Sequence, residues 1–207
     1  IPEDWEASKL KYRACINPTK AVSSFSKDSD ELAVFLPMEK VETDGSYLTD
    51  IRKPIKELWN GFTYFEKGDT IIAKITPCFE NGKGAFLGEL DTDIGFGSTE
   101  FHVLRATSNK SRGRYLYYMT KSDLFRQMGA TFMYGAAGQK RVPTEFIEDF
   151  EIGFPSCDEQ QAIADHLDAK TALIDALISK KRRQIELLTE QRQAVINQAV
   201  TKGLEPK

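Results

Sequence analysis

A run of more than forty residues without proline or glycine, from about Cys157 to Lys202, dominates the C-terminal part of this chain. Apolar residues recur through it in steps of three and four, the spacing that places side chains along one face of an α-helix. They are Ile163, Leu167, Ile174, Leu177, Ile178, Ile185, Leu188, Val195 and Ala199. Pro155 precedes the run, Gly203 follows it, and Asp158 is predicted to cap the helix. At about 1.5 Å per residue, the helix would be roughly 65 Å long.

A helix of that length with one apolar stripe needs a partner helix, because a single compact domain cannot cover it. We therefore predict a coiled-coil arm. Its predicted interface consists of Ile163, Leu167, Ile174, Ile178, Ile185, Leu188 and Val195. Lys181 and Arg192 interrupt the stripe, and such breaks favour a specific antiparallel or heteromeric pairing over a simple zipper, or indicate a bend. The alternative is a long surface helix folded back onto its own domain, although the run offers no glycine or proline at which to turn.

Composition predicts a water-soluble, cytoplasmic protein. The chain has 207 residues, of which 41% are hydrophobic and 29% charged, enough for a core of about 150 residues plus the arm. No apolar stretch approaches the ~18 residues of a membrane span and no secretory signal opens the chain, so we expect no membrane partner. Three scattered cysteines predict reduced thiols, not a disulfide framework. The first residue is Ile1 and not Met, which is consistent with a piece of a longer protein.

We predict that residues 1–155 form a mixed, strand-rich α/β domain and that residues 156–207 form the helical arm. Short alternating or apolar runs bounded by turn residues predict the strands. The predicted strands are Leu32–Met38, the segment GDTIIAKI at 68–75, Ala85–Leu90, Glu100–Leu104 and Phe146–Phe154. Two short helices are predicted at Ser111–Tyr118 and Ser122–Met128, the second beginning at Ser122 and Asp123.

The charge is unevenly distributed along the chain. The formal net charge is −3, yet the window Phe101–Thr144 holds eight basic residues against the single acid Asp123, a local charge of +7. The basic residues are Arg105, Lys110, Arg112, Arg114, Lys121, Arg126, Lys140 and Arg141. Because local fields steer a polyanion, this window favours nucleic acid as the ligand. The alternative is a solvated surface over a core that the aromatic residues of the window fill.

Motifs for catalysis and metal binding are missing. Of the two histidines, His102 falls in a predicted strand and His166 on the arm, and neither belongs to a zinc-binding pair. Gly82-Lys83 lacks the remaining residues of a phosphate-binding loop. The acidic turns Asp28–Asp30 and Asp91–Asp93 are typical of solvated turns. We therefore predict no enzyme active site, no metal and no cofactor.

Two predicted loops, Thr76–Lys83 and Tyr134–Arg141, concentrate side chains that bind phosphates or base edges. Gly135 and Gly138 would allow the backbone to approach a phosphate closely. The predicted nucleic-acid-binding residues, for which the resemblance given next implies DNA, are Lys74, Thr76, Asn81, Lys83, Arg112, Arg114, Tyr134, Gln139, Lys140 and Arg141.

Five ordered stretches, covering nearly the whole chain, resemble the specificity subunit of type I restriction–modification systems. They are IPEDWEASKL, GDTIIAKITPCFENGKGAF, FGSTEFHVLRA, GAAGQKRVPTEFIEDFEIGFPS and DEQQAIADHLDAKTALIDALISKKRRQIELLTEQRQAVINQAVTKGL. The resemblance implies a target recognition domain that reads one half of a bipartite site in double-stranded DNA. It also implies a long helix that pairs antiparallel with a second one, as a spacer between half-sites.

The partners implied by the resemblance are methyltransferase (modification) subunits and restriction/translocase subunits, with the chain itself non-catalytic. Specificity subunits normally carry two domain-plus-helix units, whereas this chain has one. Two alternatives stay open: a half-subunit that pairs with a second copy, or a fragment whose second half is elsewhere. Other function classes are a coiled-coil scaffold that binds protein or RNA, and an enzyme with an unrecognised site.

Overall fold

The computed structural model describes residues 2, 4–20, 25–136 and 138–204, and these residues form ten short strands and five α-helices. The strands are β1 (Glu6–Lys9), β2 (Ala14–Ile16), β3 (Leu32–Leu36), β4 (Arg52–Pro54), β5 (Thr63–Glu66), β6 (Thr70–Ala73), β7 (Gly84–Phe86), β8 (Ile94–Gly97), β9 (Phe101–Ala106) and β10 (Glu151–Phe154). The helices are α1 (Ile55–Leu58), α2 (Gly113–Lys121), α3 (Asp123–Phe132), α4 (Thr144–Asp149) and α5 (Cys157–Lys202). Short 3-10 helices lie at Leu10–Tyr12 and Met38–Lys40.

The strands form two four-stranded sheets and one two-stranded sheet. The first sheet has the order β2-β9-β6-β7 and is antiparallel throughout, whereas the second has the order β4-β3-β8-β5 with β3 and β8 parallel. β1 pairs with β10. The mixed α/β class with a long C-terminal helix is therefore confirmed.

Strand β6 is buried on both faces, and its alternation explains why. Ile71 belongs to the apolar cluster between the two four-stranded sheets, together with Val34, Phe65 and Val103. Ile72 points the opposite way, into a cluster built largely from α2, α3 and α4. The period-2 alternation of this strand thus places one apolar cluster on each of its two faces.

Most element boundaries shift by a few residues from those predicted, but one assignment was wrong. Phe146–Phe154 is not a single strand: helix α4 occupies its first half and only β10 is extended. Phe146, Ile147 and Phe150 are buried, a spacing that suits a helical turn better than a strand. By contrast, the predicted start of α3 is confirmed, since the Ser122 hydroxyl accepts a hydrogen bond of 3.2 Å from the backbone N–H of Phe125.

Helix α5 begins at Cys157, two residues earlier than a cap at Asp158 would place its start, so Asp158 is not its cap. The cap is Ser156, whose hydroxyl accepts a hydrogen bond of 3.2 Å from the backbone N–H of Glu159. Asp158 lies inside the first turn, where its charge still faces the positive end of the helix dipole. At the other end, Gly203 has a φ of +86° and donates its N–H to the Ala199 carbonyl, which terminates the helix.

The chain divides into two compact units, Ile1–Ala164 and Asp165–Lys207. The first two turns of α5 therefore belong to the first unit, with Gln160 and Ala164 fully buried and Ile163 packed on its core. Ile163 is therefore partly buried by contacts within this unit, and its place in a coiled-coil interface stays a prediction.

The second unit is helical up to Lys202 and carries a row of exposed apolar side chains. Exposure is 56% for Ile174, 64% for Ile185 and 61% for Val195. Aliphatic side chains of this size lose about 1.5–3 kcal/mol of favourable burial each when left in water. The row is therefore a surface that a partner would stabilise.

Candidate nucleic-acid interface

Backbone hydrogen bonds hold the two predicted loops side by side. The N–H of Thr76 donates to the Lys140 carbonyl at 2.9 Å, and the N–H of Val142 donates to the Lys74 carbonyl at 2.8 Å. Within the second loop, Arg141 donates its N–H to the Tyr134 carbonyl at 2.9 Å. We call Lys74–Lys83 and Tyr134–Arg141, without Ala137, which lies outside the described residues, the loop pair.

The second loop needs glycine at its first bend. Gly135 has a φ of +135°, and a Cβ atom there would lie 2.5 Å from the Gln139 carbonyl oxygen. Only glycine allows the backbone to fold back this tightly. The bend needs Gly135 whether or not the loop binds a phosphate. That Gly135 and Gly138 allow the backbone to approach a phosphate closely remains a prediction.

The loop pair exposes several of the predicted DNA-binding side chains. Tyr134 is 67% exposed, and Asn81, Gln139 and Lys140 are exposed as well. Lys83 is partly buried and donates its ammonium to the Met38 carbonyl at 3.2 Å. Exposed aromatic, amide and ammonium groups on one surface can together contact phosphates and base edges.

Arg141 faces an acid that lies just outside the basic window. Its guanidinium binds Glu100 through two hydrogen bonds, from Nη2 to Oε1 at 2.7 Å and from Nε to Oε2 at 2.8 Å. The bond from Arg141 and its charge hold the pKa of Glu100 below its usual value despite partial burial. Glu100 therefore offsets the charge of Arg141, which the window Phe101–Thr144 did not reveal.

Two further cations of the basic window, Lys121 and Arg126, donate hydrogen bonds to backbone carbonyls of the first loop. The Lys121 ammonium donates to the carbonyls of Gly82 at 2.6 Å and Thr43 at 2.5 Å, and burial lowers its pKa to about 8. The Arg126 guanidinium donates to the Glu80 carbonyl at 3.3 Å and to Asp123 at 2.5 Å. These two residues brace the loop and are not surface phosphate ligands.

Arg112 and Arg114 do not join the loop pair. Gly113 accepts a hydrogen bond of 2.9 Å from the Thr70 hydroxyl, at the start of β6, whereas the loop pair follows its end. The Arg114 guanidinium lies over the Phe86 ring, 5.6 Å from its centroid. The structure thus brings eight of the ten predicted DNA-binding residues together and separates Arg112 and Arg114 from them.

Arg105 is also at the start of β6, in an internal ion-pair network. It binds Asp69 at 2.8 Å and Glu66 at 2.7 Å, and Asp69 is only 2% exposed. Burial disfavours the charge on Arg105, but the hydrogen bonds and charges of the two acids outweigh it and raise the pKa of Arg105. The window's charge of +7 is consequently distributed between two ends of the first sheet and partly neutralised, so it is not one basic patch.

His102 has the structural role predicted for it. Its Nε2 lies 3.0 Å from the Val142 carbonyl and must donate, so Nδ1 is left to accept from the Asn17 amide at 3.1 Å. Burial lowers the pKa of His102 to about 4. The ring is therefore neutral near pH 7 and ties β9 to the segment that leaves the loop pair.

A cleft of about 350 Å³ opens beside the loop pair. Its lining consists of Asn17, Pro18, Thr19, Lys20, Thr63, Tyr64, Lys74, Phe101, His102 and Thr144. Sequence reasoning singled out Lys74 and His102 but missed the cleft, because strands distant in the chain form its walls.

The described ranges contain neither a cluster of metal-binding side chains nor a helix that could span a membrane. No group of three or more histidine, cysteine or acidic side chains there is placed to hold a metal ion. In the predicted acidic turns, Asp30 pairs with Lys56 at 2.5 Å and Asp91 pairs with Arg52. Among the same residues, no helix combines the length and the apolar character of a membrane span.

The family model described as "Type I restriction modification DNA specificity domain" matches residues 2–187. The chain belongs to this family. The resemblance to the specificity subunits of type I restriction–modification systems that the sequence showed is thereby confirmed.

Curated relatives agree with this assignment. The chain is 41% identical over 179 residues to the EcoAI type I restriction enzyme specificity subunit and 38% identical to that of EcoEI, both from Escherichia coli. Each match covers 86% of this chain, which spans only about 30% of each relative's length.

Solved structures show the same fold. The HsdS subunit from Thermoanaerobacter tengcongensis matches with a TM-score of 0.71 at 16% identity, over all of this chain and 52% of that one. A chain from a structure of the type I restriction–modification system, described for complex assembly and conformational transition, matches with a TM-score of 0.73 at 19% identity. The chain thus spans about half the length of these subunits.

Proposed function

We propose that residues 1–155 are a target recognition domain that reads one half of a bipartite site in duplex DNA through the loop pair. The observation that carries this proposal is the backbone pairing of Thr76 with Lys140, which presents amide, hydroxyl, aromatic and ammonium side chains from two distant segments on one surface. Family membership supplies DNA as the ligand class, with the cytoplasm as the compartment in which the protein meets it.

Within the loop pair, the exposed side chains divide by chemistry. Lys140 is an exposed point charge suited to a phosphate, which fixes the position of the domain but carries no sequence information. The Gln139 amide has both a donor and an acceptor and can form a bidentate pair with a base edge. Arg112 and Arg114 are not part of this proposed surface.

For the helix, we propose a spacer and docking role for residues 156–207. Two observations support it: the exposed apolar row of the second unit, and the coverage of about half of solved subunits that share this fold. The proposed interface is Leu167, Ile174, Ile178, Ile185, Leu188 and Val195, facing an equivalent helix from a second copy or a second half. Methyltransferase and restriction subunits would assemble on this pair.

The test uses the chain assembled with its methyltransferase subunits and measures DNA affinity on specific and scrambled duplexes. Lys140→Met is expected to weaken both about equally, whereas Gln139→Ala is expected to reduce the preference for the specific duplex by about 1–3 kcal/mol. Arg141 is left intact, because its removal would also unpair Glu100.

The matched control is Lys67→Met, which removes an exposed lysine at the start of β6, away from the loop pair. Wild-type affinity and sequence preference in both loop-pair variants would contradict the proposal. Tighter binding of RNA than of duplex DNA by the assembled complex would favour the RNA-binding alternative.

A further inference from the structure

The cleft beside the loop pair carries positive charge and no acid in its wall. Two lysines, Lys20 and Lys74, contribute to its lining, and the remaining eight residues are uncharged or, in the case of His102, neutral near pH 7. At about 350 Å³ the cleft is large enough for a nucleotide-sized group.

Lys74 is the cation with unused binding capacity. It is partly buried and lines the cleft, and among the described residues its ammonium has no hydrogen-bonded or ion-paired partner. Glu100, the nearest acid that influences it, is bound to Arg141 instead. Burial lowers the pKa of Lys74, which means that the fold alone does not compensate this charge.

Lys20, by contrast, is largely engaged. Its ammonium contacts the Trp59 carbonyl and lies 5.9 Å from the centroid of the Trp59 ring and 5.8 Å from that of Phe96. It therefore contributes positive potential to the cleft from a fixed position.

Of the polar groups that line the cleft with Lys74, the Thr144 hydroxyl can act as a donor. The Asn17 amide nitrogen donates to His102 and Thr144, and its oxygen accepts from the N–H of Val103. Its hydrogen bonds are therefore used within the fold and not for a ligand. Thr144 accepts from Asn17 at 3.4 Å, which leaves its hydroxyl hydrogen free to donate. One ammonium and a hydroxyl donor facing an acid-free cleft suit an oxyanion.

The apolar lining argues against a base as the occupant. Phe101 is 1% exposed and Tyr64 is 3% exposed, so neither presents the open ring face on which a base stacks. A phosphate with its sugar needs cations and donors but no stacking face. The cleft also continues directly into the loop pair, because Val142 binds the Lys74 carbonyl and Thr144 follows two residues later.

We infer that this cleft binds a phosphate of the DNA backbone, with Lys74 as the principal ligand and the Thr144 hydroxyl as a second donor. The inference rests on the proposed function and extends it. The contact would position the duplex on the loop pair without reading its sequence.

The experiment measures the salt dependence of DNA binding by the assembled complex carrying Lys74→Met. Affinity for specific and scrambled duplexes is expected to fall by the same factor, and the slope of log affinity against log salt to become about one unit shallower. Lys74→Arg, which keeps the charge, should retain the wild-type slope. Lys67→Met, at the other end of β6, is the matched control and should retain it too.

An unchanged slope in Lys74→Met would overturn the inference, as would a loss confined to the specific duplex. Should Lys74→Met fail to fold, Lys74→Gln and Thr144→Val provide the same comparison. Thr144→Val is expected to weaken the affinity for specific and scrambled duplexes by the same factor. Saturable binding of inorganic phosphate to the DNA-free complex, abolished by Lys74→Met, together with a salt slope for DNA binding that Lys74→Met leaves unchanged, would assign the cleft to a free anion and overturn the DNA contact.

Failure of this inference is distinguishable from failure of the proposed function. If Gln139→Ala reduces the sequence preference but Lys74→Met leaves the salt slope unchanged, only the inferred cleft contact is contradicted. A complex that shows no preference for any duplex, with or without the substitutions, contradicts the proposed function itself.

Discussion

The stability of the first unit, Ile1–Ala164, should depend on pH through the buried imidazole of His102. Its pKa is about 4 in the folded protein against an ordinary value of 6.5, because burial disfavours the charged ring. Above pH 6.5 both states are neutral and the site has no effect. As the pH falls below 6.5, His102 becomes protonated in the unfolded chain, whereas in the folded chain it stays neutral until about pH 4. The free energy of unfolding therefore decreases.

The size of the effect follows from the two pKa values. At about 1.4 kcal/mol per pKa unit, the full loss is about 3 kcal/mol, of which about 2 kcal/mol is reached at pH 5. Other groups titrate in the same range, so a comparison with a variant is needed. His102→Gln does not titrate, and its amide can still donate to the Val142 carbonyl.

The assay is urea unfolding of both proteins at pH 7 and pH 5, followed by tryptophan fluorescence. His102→Gln is expected to be less stable at pH 7, yet the wild type should lose about 2 kcal/mol more than the variant between the two pH values. The other titratable groups are common to both proteins, so their contributions cancel in the comparison. Equal losses would show that the ring is not held neutral by its burial, and would refute the reasoning.

Three other substitutions test separate parts of the structure. Arg105→Met should lower the free energy of unfolding by about 3 kcal/mol by leaving Asp69 buried without its cation, and adding Asp69→Asn should restore part of it; denaturant titration measures both. Gly129→Ala places a methyl group 2.3 Å from the Phe79 ring, so a loss of about 1–3 kcal/mol is expected from thermal unfolding. Ile185→Asp should lower the sedimentation mass at micromolar concentrations if two copies pair through their helices, and an identical monomer mass for both chains would exclude a homodimer.

The elements that local sequence determines were the ones predicted correctly. The helix without glycine or proline, the Ser122 cap and the alternation around Ile71 all depend on neighbours in the chain. The strand predicted at Phe146–Phe154 failed because an apolar spacing that suits a helical turn was read as extended chain.

The candidate site was predictable only in part, for a physical reason. Composition located the two loops, but the charge of a window says nothing about acids that folding brings to it. Arg141 pairs with Glu100, which precedes β9, and Arg105 on β9 pairs with Asp69, which precedes the neighbouring strand β6. The cleft could not be predicted from the sequence for the same reason, because Lys20, Thr63 and Thr144 come from three distant segments of the chain.

The two loops are fastened by main-chain hydrogen bonds, which are indifferent to the side chains that the residues carry. Thr76 and Lys140 would remain joined through N–H and carbonyl groups if their side chains were exchanged for others of similar size. Exposed positions such as Asn81 and Gln139 are therefore open to replacement without loosening the platform beneath them. If the loop pair reads DNA as proposed, substitution of a few exposed side chains would change the target preference, while Gly135 and the buried strands maintain the backbone geometry.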